Sequence, residues 1–162
     1  MKLQFCPYCA APLAQKDQTT YECANGHGYW NNAKSATTIV LYNDGLALFA
    51  ERAREPQKGK YDFPGGFVNF GEDAAKAAYR ELQEETGIRE ATLELIGSVS
   101  NTYDEVTSTC DLIYLCTGWQ GEPVASDDVA SFVWRPLNFM NTPDFAWQYP
   151  GVYELLVGKL EN

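Results

Sequence analysis

The amino-acid sequence predicts a mixed α/β layer structure, preceded by a small metal-stapled module. Three observations lead there. Strand-like runs surround one strongly helical segment at residues 73–86, a second amphipathic segment closes the chain, and the first 32 residues are poor in aliphatics but rich in Cys, Pro, Gly and Asn. Strands and helices of this kind bury their apolar faces by stacking in layers. With 162 residues, 45% of them hydrophobic, the chain can bury one ordinary core and carry a small appendage.

In chain order, Ala36 to Tyr42 (ATTIVLY) is apolar and β-branched, and Gly45 to Ala50 (GLALFA) follows an Asn43-Asp44-Gly45 turn, which is a hairpin signal. Residues 51–62 are charged and hold Pro56 and Gly59, so they predict an exposed loop. Asp73 to Thr86 (DAAKAAYRELQEET) has no internal Gly or Pro, with Asp73 placed as N-cap and Gly87 as left-handed C-terminal cap. On that helix Ala75, Ala78 and Leu82 form a stripe expected to pack on the sheet. Strand-like runs follow at Ala91–Ser100, Thr109–Thr117 and Ala130–Arg135, and a closing helix is expected over Tyr149–Leu160. Cys110 and Cys116 lie six apart on one predicted strand, hence on one face, and read as buried core thiols. The domain boundary falls near Asn31–Ser35, giving a module over residues 1–33 and a main domain over 34–162.

Net charge is −10, and the first 35 residues are nearly balanced, so the acidic excess sits on the main domain. Such a surface repels phosphate backbones, which disfavours nucleic acid as a partner. Local acidity still suits hard divalent cations, which bind carboxylate oxygens and then attract a phosphate-bearing small molecule. No run approaches the apolar length of a membrane span, and Met1 to Cys9 lack the pattern of a secretory signal, so the expectation is a cytoplasmic protein without membrane contact.

The most informative stretch is Gly65 to Ile88, GGFVNFGEDAAKAAYRELQEETGI. At about 100° per helical residue, Glu84 and Glu85 fall at roughly −60° and +40° from Glu81, with Arg80 at the edge of that arc. Three like charges on one face repel unless a cation neutralises them, whereas an ordinary charge run is a solvated surface. The flanking residues favour the cation. Gly66, five residues, Glu72, seven residues, Arg80-Glu81-Leu82, one residue, Glu84-Glu85, one residue, Gly87-Ile88 matches every position of the Nudix box.

The chain therefore resembles the Nudix hydrolase family, over the box itself and compatibly over about Ala36–Glu161. The resemblance implies an α/β/α sandwich on a mixed sheet, and hydrolysis of a nucleoside diphosphate linked to another group. It implies Mg²⁺ (or Mn²⁺) held by Glu81, Glu84, Glu85 and the Gly65 carbonyl, with Arg80 orienting a glutamate and Glu72 bracing the loop–helix junction. The general base is Glu81 or an acid on a later loop, where Asp104, Glu105, Asp127 and Asp128 stand, and Glu81 is preferred. Homodimerisation is common in the family.

Cys6-Pro7-Tyr8-Cys9 is followed by Cys23 and, four residues on, by His27, the chain's only histidine. Clustered cysteines at this spacing suit a tetrahedral Zn²⁺ site better than disulfides or a redox pair, and would staple a fragment too small for its own core. The arrangement is similar to the zinc ribbon of the NADH pyrophosphatase branch, although a second Cys-x-x-Cys would need cysteine at Gly26. That branch also carries a Ser-Gln-Pro-Trp-Pro-Phe-Pro signature, and the corresponding Ser98 to Cys110 reads SVSNTYDEVTSTC. NADH is thus demoted below an ADP-ribose-like or dinucleotide-like substrate, with nucleoside triphosphates a further alternative. Tyr61, Phe63, Tyr103, Trp147 and Tyr149 are candidates to stack on a base. A nucleotide-sensing regulator without catalysis is the non-enzymatic alternative, disfavoured because all box carboxylates are retained.

Overall fold

In a computed structural model of the chain, which describes residues 4–104, 107–147 and 151–160, the central helix α1 runs from Ala74 to Thr86. Its ends follow the expected chemistry. Asp73 Oδ1 accepts the Lys76 N–H at 2.9 Å, and Gly87, at φ 74°, donates its N–H to Gln83 O at 3.0 Å. The buried stripe is Ala77, Ala78, Leu82, Glu85 and Thr86, while Ala75 is exposed. The expected stripe is thus corrected. Ala75 sits one turn before Ala78, beyond the side chains of the sheet cluster, and the covered arc takes in Glu85 instead.

Among the described residues, ten strands and a second helix accompany α1. Strands β1 (Leu13–Gln15), β2 (Thr20–Cys23) and β3 (Gly28–Trp30) form a three-stranded antiparallel sheet. Strands β4 (Lys34–Asn43), β5 (Leu46–Arg52), β6 (Tyr61–Asp62), β7 (Gly65–Phe67), β8 (Ala91–Thr102), β9 (Ser108–Trp119) and β10 (Val129–Arg135) form the main sheet, in order β10-β5-β4-β9-β8. Helix α2 (Val152–Leu160) closes the chain after a single 3₁₀ segment at Leu137–Asn141. Strands β4 and β9 pair in parallel from Lys34↔Thr109 to Leu41↔Cys116, and the other pairings are antiparallel, so the sheet is mixed as expected.

Alternation along β4 divides the core between two faces. Ile39 and Leu41 point to α1, joining Leu48, Ala78, Leu82, Ile88, Tyr114 and Cys116. Val40 points the other way, to Phe49, Phe63, Ile113, Leu115, Val152 and Leu156 beneath α2. This is the α/β/α sandwich. No helix among the described residues is long and apolar enough to cross a membrane.

The β4–β5 hairpin shapes the site. It pairs only at Tyr42↔Ala47 and Asn43↔Leu46, beside a turn whose Asp44 and Gly45 both have positive φ. Beyond those rungs the arms part, β4 taking β7 as partner and β5 taking β6. The segment predicted as an exposed loop therefore contributes Arg52 and Asp62 to the wedge, both largely covered.

Other expectations shift as well. The N-terminal module contains strands where loops were expected, because its strands are three or four residues long and too short to show a period. Cys116 is buried but Cys110 is exposed. Both lie on the α1 face of β9, whose cover stops short of Cys110. The closing helix begins at Val152, and Tyr149, like Glu105, lies outside the described residues.

Candidate active site

Arg80 organises the box. Its Nε and Nη2 grip the two oxygens of Glu72 at 2.9 Å each, while Nη2 also donates to Phe67 O at 3.1 Å. Its Nη1 reaches Glu81 Oε1 at 2.6 Å and Glu84 Oε2 at 3.1 Å. The bidentate fork, with help from the Asn69 N–H, holds the Glu72 carboxyl down to about 2. Burial pushes the Glu81 carboxyl up despite its Arg80 bond. It pushes Glu85, only 8% exposed, up to about 8. Glu85 Oε2 accepts the Gly65 N–H at 2.9 Å, which ties the helix to β7.

The two glycines at that junction are sterically required. Gly65 has φ +148°, and a Cβ there would collide with the Thr37 carbonyl. A Cβ on Gly66 would lie 2.5 Å from Glu81 Oε1. A side chain at Gly65 would push β7 away from β4, and one at Gly66 would displace the Glu81 carboxylate.

Glu81, Glu84, Glu85 and Gly65 line one end of a cavity of about 330 Å³ that opens in the hairpin's wedge. Asp127 and Asp128 join them from the loop before β10, and Asp62 from β6. That loop is laced to the end of α1: Val124 N–H donates to Thr86 O at 2.9 Å, Ser126 N–H to Glu85 O at 3.1 Å, and the Ser126 hydroxyl to Glu84 O. Arg54 reaches over to Asp128 at 2.6 Å and Asp127 at 3.6 Å. Asp104 is occupied in its own turn, accepting from Thr107. Arg52 is the one basic residue lining the cavity among the described residues.

The far end differs in kind. Asp111 and Thr109 line it from β9 and Asn101 from β8, beside an aromatic wall. Tyr103 and Trp147 stack there at 5.4 Å, and the Arg52 guanidinium lies 4.4 Å from the Trp147 ring centre. Of the expected stacking residues, Tyr103, Phe63 and Trp147 border the cavity, while Tyr61 packs against the α2-side core.

The cysteine module gathers its four donors. Cys6, Cys9 and Cys23 Sγ and one His27 nitrogen lie within 4.8 Å of one another. His27 Nδ1 is 3.3, 3.6 and 3.6 Å from Cys9, Cys6 and Cys23, and the Cys9–Cys23 sulfurs are 3.7 Å apart. Hydrogen bonds from backbone at Ala11, from Asn25 and from His27 lower the Cys9 thiol to about 6, whereas burial raises Cys6.

Of the residues read from the box, Gly65, Gly66, Glu81, Glu84 and Glu85 line one cleft. Arg80 and Glu72 brace them from behind, Leu82 and Ile88 pack in the core, and Gly87 caps the helix. All four expected metal ligands of the module converge at a second place. Sequence reasoning missed Thr37, Arg52, Asp62, Asn101, Thr109 and Asp111. Strand pairing and the splayed hairpin assemble these from distant segments, so no local spacing marked them.

A helix that presents three carboxylates at a cleft in a mixed sheet, inside an α/β/α sandwich, places the domain in one known family. The NUDIX domain family matches residues 32–156, and the chain belongs to that family. Over 98 residues it is 33% identical to an oxidized purine nucleoside triphosphate hydrolase of Danio rerio, covering 60% of this chain and 63% of that protein. Over 111 residues it is 31% identical to an ADP-ribose pyrophosphatase of Methanocaldococcus jannaschii, covering 68% and 64%. The chain matches less than two thirds of the length of these two relatives. A NUDIX hydrolase from Nitrosomonas europaea shares the fold, with TM-score 0.66 over 98% of this chain and 91% of that one at 18% identity.

Proposed function

We propose that the chain is a Mg²⁺-dependent pyrophosphohydrolase that cleaves the diphosphate linkage of a nucleoside diphosphate derivative by attack of water at phosphorus. The observation that carries this reading is the convergence of Glu81, Glu84, Glu85 and Gly65 on one end of a cavity large enough for a nucleotide. Those four groups would hold the metal, the Gly65 contribution being its carbonyl, and oxygen donors on a rigid helix suit Mg²⁺ or Mn²⁺. Bound there, a divalent ion supplies charge neutralisation at the phosphate oxygens and a lowered pKa for the attacking water.

The chain's own groups do the rest. Arg80 fixes Glu81 and Glu84 in orientation, and Glu72 fixes Arg80. Glu81, held by Arg80 at the cavity's edge, takes the proton of the attacking water. Arg52 meets a phosphate oxygen from the opposite wall. Similarity to proteins named for ADP-ribose and for oxidized purine nucleoside triphosphates keeps both substrate types in view.

For residues 1–33 we propose a separate zinc ribbon in front of a catalytic domain over 34–162. A tetrahedral site with Zn–S of about 2.3 Å and Zn–N of about 2.0 Å has S···S edges of about 3.8 Å and S···N edges of about 3.5 Å. The observed 3.7 Å and 3.3–3.6 Å support Zn²⁺ held by Cys6, Cys9, Cys23 and His27 in a structural role.

The test is a panel of ADP-ribose, NADH, diadenosine polyphosphates, nucleoside triphosphates and nucleotide sugars with Mg²⁺, with products identified by mass. Cleavage at a diphosphate linkage, lost in Glu84→Gln, is the expected result. A folded, metal-binding protein inert across the panel would contradict the reading and favour a nucleotide sensor.

A further inference from the structure

We propose that Asp111 and Thr109 read the base of the substrate, and that they select a purine with a guanine-type edge, two adjacent N–H groups beside a carbonyl. This deepens the hydrolase reading and takes from it the presence of a nucleotide in the cavity. Both residues are 3% exposed, and both line the cavity from β9. Thr109 Oγ1 has no hydrogen-bond partner among the described residues, and burial raises the Asp111 carboxyl above its ordinary value. Asn101 spends its Oδ1 on the Thr102 N–H at 2.7 Å, leaving its Nδ2 for Asp111 Oδ2 at 3.3 Å. A carboxylate can accept about four hydrogen bonds, so Asp111 keeps most of its capacity open inside the protein. Such capacity is costly to bury without a partner.

The strand register gives the scale. Asp111 lies opposite Ala36 on β4, and Ala36 lies opposite Phe67 on β7, next to Gly66. Two strand spacings, about 10 Å, therefore separate Asp111 from the backbone beside the carboxylates. That span matches the reach of a sugar and its first phosphate between a base and a diphosphate. Thr109 and Asp111 alternate along β9, so they share one face. A guanine edge laid along the strand offers its O6 to the Thr109 hydroxyl and its N1–H and N2–H to the Asp111 oxygens. Adenine would set its N1 lone pair against a carboxylate oxygen, and hypoxanthine lacks the second donor. The Tyr103–Trp147 wall supplies a flat surface beside the base.

The experiment titrates the full chain with the α,β-methylene analogues of GDP, IDP and ADP in Mg²⁺, reading calorimetric heat and Trp147 fluorescence. These analogues resist cleavage, so the outcome does not depend on turnover. The expected result is a GDP analogue bound about tenfold or more tightly than either other one, since a buried polar site rejects a ligand lacking its partner. Asp111→Asn should collapse the preference for GDP over IDP. Thr109→Val should weaken the GDP and IDP analogues together, leaving their ratio unchanged, and it decides the matter if Asp111→Asn does not fold. Equal affinity for the three analogues, no binding, or a preference that survives substitution would overturn the proposal and leave the polar end to ordered water. A guanine preference in a protein that cleaves nothing would sink the hydrolase reading alone.

Discussion

Residues 4–33 bring three thiols and an imidazole within 4.8 Å of one another around a short antiparallel sheet, with Cys6, Tyr21 and Cys23 as the buried members of its core. On α1, by contrast, three carboxylates are presented by a helix whose inner side packs on Ile39, Leu41, Leu48 and Tyr114. In the first region hardly any apolar burial exists to hold the donors, so a bound ion would be part of the folding free energy. In the second, the core and the Arg80 fork hold the donors whether or not an ion is present. On the proposed reading one region would be organised by its metal, and the other is organised to receive one.

The largest expected effect breaks the second half of that contrast. Glu84→Gln should cut turnover by about two to three orders of magnitude, the scale of losing one preorganised electrostatic partner, while the thermal midpoint stays nearly unchanged. Near-normal rates by product assay would remove the exposed Glu84 from the metal site. Arg80→Lys should cost about 10–100-fold, because an ammonium cannot replace the fork that grips Glu72 and still reach Glu81 and Glu84. Wild-type rates in that variant would show the fork to be structural ornament.

The first half of the contrast predicts a smaller catalytic effect with a large local one. Cys23→Ser should abolish tight zinc binding and the amide-exchange protection of residues 4–33, with turnover changed by less than a few-fold. Bound zinc measured at one equivalent in that variant would remove the four-ligand site.

The carboxylate region also makes a pH prediction. Burial raises the Glu85 carboxyl from 4.5 to about 8, so the metal-free folded chain holds a proton that the unfolded chain releases. The stability this gives is full below about pH 4.5 and is lost as pH rises through about 8. Glu85→Gln stays neutral, so its metal-free melting temperature should fall less steeply than wild type across that window. Parallel curves would show that Glu85 ionises freely. Metal binding, which needs the carboxylate, should strengthen towards pH 8.

What the sequence reveals follows the range over which its signal is written. The α1 carboxylates and the cysteine donors were legible because helical and knuckle spacings are local, repeating over a few residues. The five strands of the main sheet's ordered path were legible from β-branched and aromatic runs, whereas their mixed pairing was implied only by the family resemblance. The phase of α1 was misread at Ala75 because three apolar residues fit two neighbouring arcs, and burial of Glu85 decides between them only once the sheet is in place. Cys110 was misread for a related reason: alternation assigns a face but not how far along the strand that face is covered. Arg52, Asp62, Asn101 and Asp111 could not be read at all, since the splayed hairpin and the β8–β9 register bring them together across tens of residues.

The contrast is tested most directly by stripping both metals with a chelator and adding back one ion at a time, following turnover and amide protection together. The account predicts that Mg²⁺ alone restores turnover while residues 4–33 stay unprotected, and that Zn²⁺ alone restores their protection. Turnover that requires the ribbon's zinc, or a ribbon that keeps its protection without any ion, would contradict it.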